Sequence, residues 1–240
     1  MKSVWMAVCV AVAAGSSVSA QVIAVSVGVR ETGTNAPLGA DGGTNGGIEF
    51  VDRDLNFVPL DGAWHQVTFD FPNAQLTGFA GTTANSLWDA FRGVLEMIRI
   101  RNTDEIEDPL RLFIDDITIT YQGSFTFDFE AQPLGSEHVF RDPGFSGSTV
   151  ANLLPGSSSA VSNAAAFSGS QSYELNLQFV DGNPDRWVRL TTFGTASAPN
   201  PTVDFRGQLS FRMRAEVVPA PSALGLMGIA GAFAARRRRR

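Results

Sequence analysis

The chain has little of what most active sites are built from. Of its 240 residues one is cysteine, two are histidine and one is lysine. No His-Glu-x-x-His run and no Cys/His cluster is present, which removes the usual zinc-hydrolase signatures. No Gly-x-Ser-x-Gly elbow exists, and a serine triad would need His65 or His138 beside a serine and a carboxylate. Both histidines stand next to large apolar residues, Trp64 and Val139-Phe140, and read as structural. The single cysteine, Cys9, and the single lysine, Lys2, both fall within the first 20 residues. Beyond them there is no disulfide and no thiol chemistry, so an exported body must rest on its core rather than on covalent staples.

The two ends read as addresses. Lys2, the apolar stretch Val4 to Ala14 and the small-residue site Val18-Ser19-Ala20 before Gln21 form a secretory signal peptide over residues 1–20. At the other end, Pro219-Ala220-Pro221 precedes an apolar run from Ala223 to Ala235 and then Arg236, Arg237, Arg238, Arg239 and Arg240. An apolar segment followed by a basic block inserts with its basic end in the cytoplasm. The stretch from Pro219 to Ala235 would reach about 25 Å as a helix, the short edge of what spans a bilayer. A short hydrophobic C-terminal helix is therefore expected within residues 217–240, giving a transient membrane anchor.

This order of parts resembles the PEP-CTERM sorting signal, a Pro-Glu-Pro element, a hydrophobic stretch and an arginine cluster. Here Ala220 stands where the family has glutamate. The resemblance implies recognition by an exosortase, an integral-membrane cysteine protease of bacteria that make exopolysaccharide. It implies cutting near Pro219 and Pro221 and transfer to the cell surface or extracellular matrix. Pro219, Pro221 and Arg236 to Arg240 would be the residues read. The exosortase and the secretion machinery are then the expected partners.

Without both ends, 12 arginines face 24 acidic residues, a net charge of −12. Such a body repels nucleic acid and anionic lipid. About 195 residues remain, enough for one large or two small domains.

From residue 21 to 216 apolar residues recur with period two. Ile23, Val25, Val27 and Val29 alternate with small or polar residues, as do His65, Val67, Phe69 and Phe71, and Phe125, Phe127 and Phe129. So do Tyr173, Leu175, Leu177 and Phe179, and Leu209, Phe211, Met213 and Ala215. Each set places one face on a core. Gly/Asn/Asp/Pro stretches at 41–47, 60–62, 155–159 and 181–184 punctuate them. The pattern predicts an all-β, antiparallel sandwich, with one short helix over Ser86 to Arg92.

Two halves are visible, 22–121 and 124–216. The first closes on LRLFIDDITIT (110–120) and the second opens on FTFDFEAQPLG (125–135). These resemble the closing and opening segments of jelly-roll sandwiches of the carbohydrate-binding-module or galactose-binding-like kind, in inverted order. Either the halves are two small sandwiches or they complete each other as one permuted sandwich. The second is favoured because each half alone has a thin core. It requires residues 21–30 to lie near residues 208–215.

Candidate chemistry is sparse. Acidic residues cluster at Asp104, Glu105, Glu107 and Asp108 and at Asp115-Asp116, but the run 104–109 lacks the Glu-x-Asp-x-x-Glu spacing of laminarinase-type jelly rolls, and solvation is its expected role. Calcium takes six to eight oxygens from flexible loops. Asp41 with Asn45, and Asp181 with Asn183 and Asp185, supply such oxygens beside glycines; Asp181, Asn183 and Asp185 are the candidate ligands for a structural calcium, the one cofactor the sequence offers. Glycan contact would use flat aromatic faces with polar neighbours. Trp64, Trp88 and Trp187 are the three tryptophans outside the leader; Trp187, Arg186 and Asp185 are the first candidates, with Trp64. The Gly-rich segment 30–50 reads as a long loop. The expectation is a non-enzymatic exported protein for adhesion, matrix structure or contact with exopolysaccharide or another glycan. The alternative is a secreted polysaccharide-active hydrolase or lyase.

Overall fold

The computed structural model describes residues 21–192 and 199–218. The signal peptide, Pro219, Pro221 and Arg236 to Arg240 lie outside them. Among the described residues no helix is long and apolar enough to cross a membrane.

The body is two six-stranded antiparallel sheets. The first contains β1 (Val22–Arg30), β2 (Ile48–Pro59), β4 (Leu76–Ala80), β5 (Arg92–Asn102), β10 (Trp187–Thr191) and β11 (Thr202–Asp204). They run in the order β10-β5-β1-β2-β4, with β11 also on β5. The second contains β3 (Asp61–Asp70), β6 (Leu110–Thr120), β7 (Ser124–Phe127), β8 (Ser158–Ser162), β9 (Ser172–Leu177) and β12 (Gln208–Val217). Their order is β3-β12-β6-β9-β8, with β7 also on β6. Strands from either side of residue 122 occur in both sheets. Residues 21–30 and 208–215 line one core from opposite sheets: β1 pairs with β2 and β5, β12 with β3 and β6.

The period-two sets build that core. Ile23, Val25, Val27 and Val29 of β1 meet Leu209, Phe211, Met213 and Ala215 of β12 in one buried cluster. Alternation does not leave the other face of β1 wet, however. Ala24, Ser26 and Gly28 are also buried, because larger side chains fold over these small ones. Ile48, Phe50 and Met97 form a second cluster, with Phe79 and Trp187 packed on it. The second sheet carries a smaller cover on its outer face, where Trp64 and Phe113 lie 6.3 Å apart between ring centres.

β6 changes phase in mid-strand. Leu110, Leu112 and Ile114 point into the core, and so do Ile117 and Ile119. An odd step separates the two sets, and a bulge absorbs it: the register against β12 shifts between Ser210 and Arg212, and Asp116 takes a φ of 48°. Asp115, at the bulge, is fully buried. Its carboxylate accepts the backbone N–H groups of Phe167 (2.8 Å), Ser168 (3.2 Å) and Asp116 (2.8 Å), tying the 163–171 loop to the sheet.

The helix expected over Ser86 to Arg92 is not formed. Residues 84–91 are irregular, because their backbone donors are taken locally. The buried Glu49 carboxylate accepts from the N–H groups of Asn85 (2.6 Å) and Ser86 (3.0 Å). The Asn85 side chain accepts from Leu87 N (3.0 Å) and Ser86 adopts a φ of 64°, so no helical turn can start.

Burial pushes the Asp115 carboxyl up to about 6, against the lowering effect of its backbone donors. The unfolded value is about 3.9. The folded state therefore binds this proton more tightly, and the contribution is complete below about pH 4 and lost as pH rises through about 6. A carbon-detected titration should place the Asp115 midpoint near pH 6. Asp115→Asn should remove the corresponding fall in unfolding free energy between about pH 4 and 6. A midpoint at 4 or below would overturn this account.

Candidate functional site

The structure turns the 181–187 loop inward. Arg186 grips Asp181 with Nε and Nη2 at 2.9 and 2.7 Å and reaches Asn152 Oδ1 at 3.1 Å. That fork holds the Asp181 carboxyl down at about 2. Asp181 also accepts Asn183 N, and Asn183 Oδ1 accepts Asp185 N. Asp185 faces Arg101 Nη2 at 3.1 Å. A guanidinium thus occupies the oxygens a calcium ion would need, and the loop as folded presents no cation cage. Among the described residues no three His, Cys, Asp or Glu side chains gather as a metal site.

Trp187 leaves the loop and joins the outer cover of the first sheet. Its ring meets Phe50 and Phe79 edge-on at 6.0 and 5.9 Å, and the Arg99 guanidinium lies over it at 5.3 Å. Trp64 packs edge-on against Phe167 at 6.0 Å on the other sheet. Both tryptophans are half-buried. His65 pairs with Asp61 at 3.0 Å, and His138 stands beside the Phe127 and Phe129 rings.

An exposed aromatic site forms elsewhere, at one end of the sandwich. The tripeptide Phe-Arg-Gly occurs twice, at 91–93 and 205–207. The two copies meet where β11 pairs with the start of β5: Asp204 lies opposite Arg92, and Phe205 N donates to Phe91 O at 2.8 Å. Both glycines are required by close approach. A Cβ on Gly93 would run into the Arg30 carbonyl and the Phe205 ring, and one on Gly207 into the Thr120 carbonyl.

The arginines of both copies converge on one carboxylate. Asp204 is 1 % exposed. It accepts Arg92 Nε (2.8 Å) and Arg206 Nε (2.8 Å) and Nη2 (2.7 Å). Burial alone would raise its pKa, but the hydrogen bonds from Arg206 and Arg92 outweigh that and hold it below the usual carboxylate range.

Arg206, fixed in this way, lies over two rings, Phe91 at 4.9 Å and Tyr121 at 4.3 Å. Behind them Trp88 stacks on Phe205 with centres 4.1 Å apart and donates its indole N–H to the Phe71 carbonyl at 3.1 Å. Pro72, Trp88, Phe91, Phe205 and Arg206 wall an open, largely apolar cleft of about 470 Å³. The lining is tied down by a second carboxylate, since Asp89 N donates to Glu31 at 2.7 Å. Phe91 is 70 % exposed and Leu87 beside it 63 %. Of these residues only Trp88 stood out in the sequence as a tryptophan. Phe91, Tyr121 and Arg206 were missed, although the repeated Phe-Arg-Gly pointed to Phe91 and Arg206.

Comparison of the chain with protein-family models, curated proteins and solved structures finds no match. The site must be judged on its own chemistry.

Asp204→Ala should be among the more damaging substitutions in the body. It leaves Arg92 and Arg206 without their acceptor, but both guanidinium groups reach solvent, with 31 % and 42 % of their side-chain surface exposed, so the loss should be about 1.5–3 kcal/mol, the range for hydrogen bonds to a charged group. Urea unfolding should show that loss, with Asp204→Asn costing less. The wild-type contribution is present above about pH 4, the unfolded carboxylate value, and is lost as pH falls through the lower folded value. A near-neutral Asp204→Ala would remove Asp204 as the anchor of the cleft.

Proposed function

We propose that this is an exported, non-enzymatic protein of the cell surface or extracellular matrix, with a jelly-roll-like sandwich body that contacts glycan through the cleft of Trp88, Phe91 and Arg206. The observation that carries this reading is an exposed phenylalanine held in place. An aromatic face left in water costs hydrophobic free energy, and here it is braced by a cation whose own position is set by a buried carboxylate. Sugar rings present C–H faces to such a surface, and pre-organisation lowers the entropy lost on binding. Arg206 and Asp89 stand at the rim to hydrogen-bond hydroxyls.

Export belongs to the same reading. The leader, the Pro-x-Pro element, the apolar stretch and the terminal arginines together support processing by an exosortase-type system, with passage through the inner membrane. The candidates Trp187 and Trp64 are demoted within it, because both are half-buried whereas Phe91 is 70 % exposed.

Two measurements test the proposal. Intact mass of the protein from its own cells should lack residues 1–20 and everything after about Pro221. Retention of Ala223 to Arg240 in the inner membrane would sink the sorting part. Affinity electrophoresis across a panel of polysaccharides should show retardation that Phe91→Ala weakens by roughly tenfold, about 1.4 kcal/mol, without lowering the melting temperature. Unchanged retardation in Phe91→Ala would remove the cleft as the contact site, and breakdown of the polysaccharide would favour the hydrolase or lyase alternative.

A further inference from the structure

A second cavity, of about 310 Å³, opens between the outer face of the first sheet and residues 146–148. Its base is an uneven ion triad. Arg30, at the end of β1, grips Glu96 of β5 with Nε at 3.0 Å and Nη2 at 3.1 Å, and its Nη1 donates to Gly46 O at 2.9 Å. Arg189 of β10 shares the same Glu96 oxygen through Nη2 at 2.7 Å. Two guanidinium groups thus share one carboxylate, leaving one positive charge. Arg30 is fully engaged. Arg189 gives Glu96 its Nη2, and its side chain stays 18 % exposed where it lines the cavity. A partly buried guanidinium carrying the unshared positive charge of the triad, open to a cavity, favours an incoming anion.

The walls specify more than a bare anion. Ser146 and Ser148 line one side, their hydroxyls 2.9 Å apart, and Thr44 and Thr191 add two more hydroxyls. The Phe145 ring, 46 % exposed and with the Arg141 guanidinium over it at 4.8 Å, also lines the cavity. The volume sits at the small end of ligand sites, which begin at roughly 300 Å³. One charged group on one polar, ring-shaped body fits this set: the carboxylate on Arg189, the hydroxyls on serine and threonine, the C–H face on Phe145.

We propose that this cavity binds the carboxylate-bearing ring of an acidic sugar, a uronate, with Arg189 as its anion receptor. The site is separate from the Phe91 cleft and does not rest on that reading.

Isothermal titration of the purified secreted protein at pH 7 would use D-glucuronate, D-glucose, acetate and N-acetylglycine as probes. Glucuronate should bind saturably, with Kd on the order of 1 mM, and at least about tenfold tighter than each other probe. Arg189→Gln should lose at least about tenfold in affinity for glucuronate. Thr191→Val and Phe145→Ala, which leave the triad intact, should each weaken glucuronate alone by a few-fold, and they decide the matter if Arg189→Gln fails to fold. Phe91→Ala should leave the binding unchanged. Three results would each overturn the proposal: no saturable glucuronate binding, binding indifferent to these cavity variants, or tighter binding of acetate or N-acetylglycine than of glucuronate.

Discussion

Carboxylates that accept backbone N–H groups hold the loops of this sandwich to its sheets. The described body has no cysteine, so the connection between distant segments has to be non-covalent. Glu49 on β2 takes two donors of the 84–91 segment, and Glu31 takes Asp89 N. Asp115 on β6 takes Phe167 and Ser168. Glu130 takes Ser170 and Gln171, both at 2.8 Å. Hydrogen bonds to an ionised acceptor are shorter and about twice as strong as neutral ones. One carboxylate can satisfy two or more donors that would otherwise be orphaned in a buried loop. The cleft depends on this device twice, through Glu31, which takes Asp89 N, and through Asp204, which takes Arg206 N at 3.1 Å besides its side-chain donors.

Burial decides how each such carboxylate responds to pH. The 163–171 loop is held by two of them that do the same work with opposite signs. Asp115 is enclosed, and desolvation outweighs its backbone donors, so its pKa rises to about 6. Glu130 lies nearer the surface, and there the Gln171 and Ser170 donors dominate and lower it. Identical hydrogen bonding thus opposes protonation at the rim and fails to prevent it in the interior. Mild acid therefore protonates the inner carboxyl before the outer one.

The strands were legible because their core faces obey period two: β1, β9 and β12 stand where Ile23 to Val29, Tyr173 to Leu177 and Leu209 to Ala215 place them. Three things were not legible, for distinct physical reasons. The parity change in β6 hides in Asp115-Asp116, an adjacent acidic pair in which nothing marks a bulge with one side chain buried. The segment 86–92 has helical spacing, but Glu49, which competes for its N–H groups, lies 37 residues away from Ser86. Trp187 follows a polar loop and so reads as a ligand-facing ring. The small residues of β1 that invite it onto the outer face of the sheet are visible only once strand order is known. The exposed cleft was missed because phenylalanine is ordinarily taken as core. Only the pairing of 204 with 92 makes the two Phe-Arg-Gly copies one feature.

The cations of the body follow from the same geometry. All are arginine, the one lysine lying in the leader. A lysine ammonium is a point charge, whereas guanidinium is planar and can fork a carboxylate while stacking on a ring. The described arginines use both capacities. Arg206 forks Asp204 and lies on Phe91 and Tyr121. Arg99 pairs with Asp54 and lies on Phe50 and Trp187. Arg111 pairs with Glu174 at 2.7 Å and lies on Phe113. Each places a charged plate between an acid and an aromatic group. An acidic protein can in this way cover apolar side chains on the outside of both sheets without a further layer of chain. The composition is then a consequence of architecture: with arginine serving as the cover, a lysine at the same positions would supply the charge but neither the fork nor the plate.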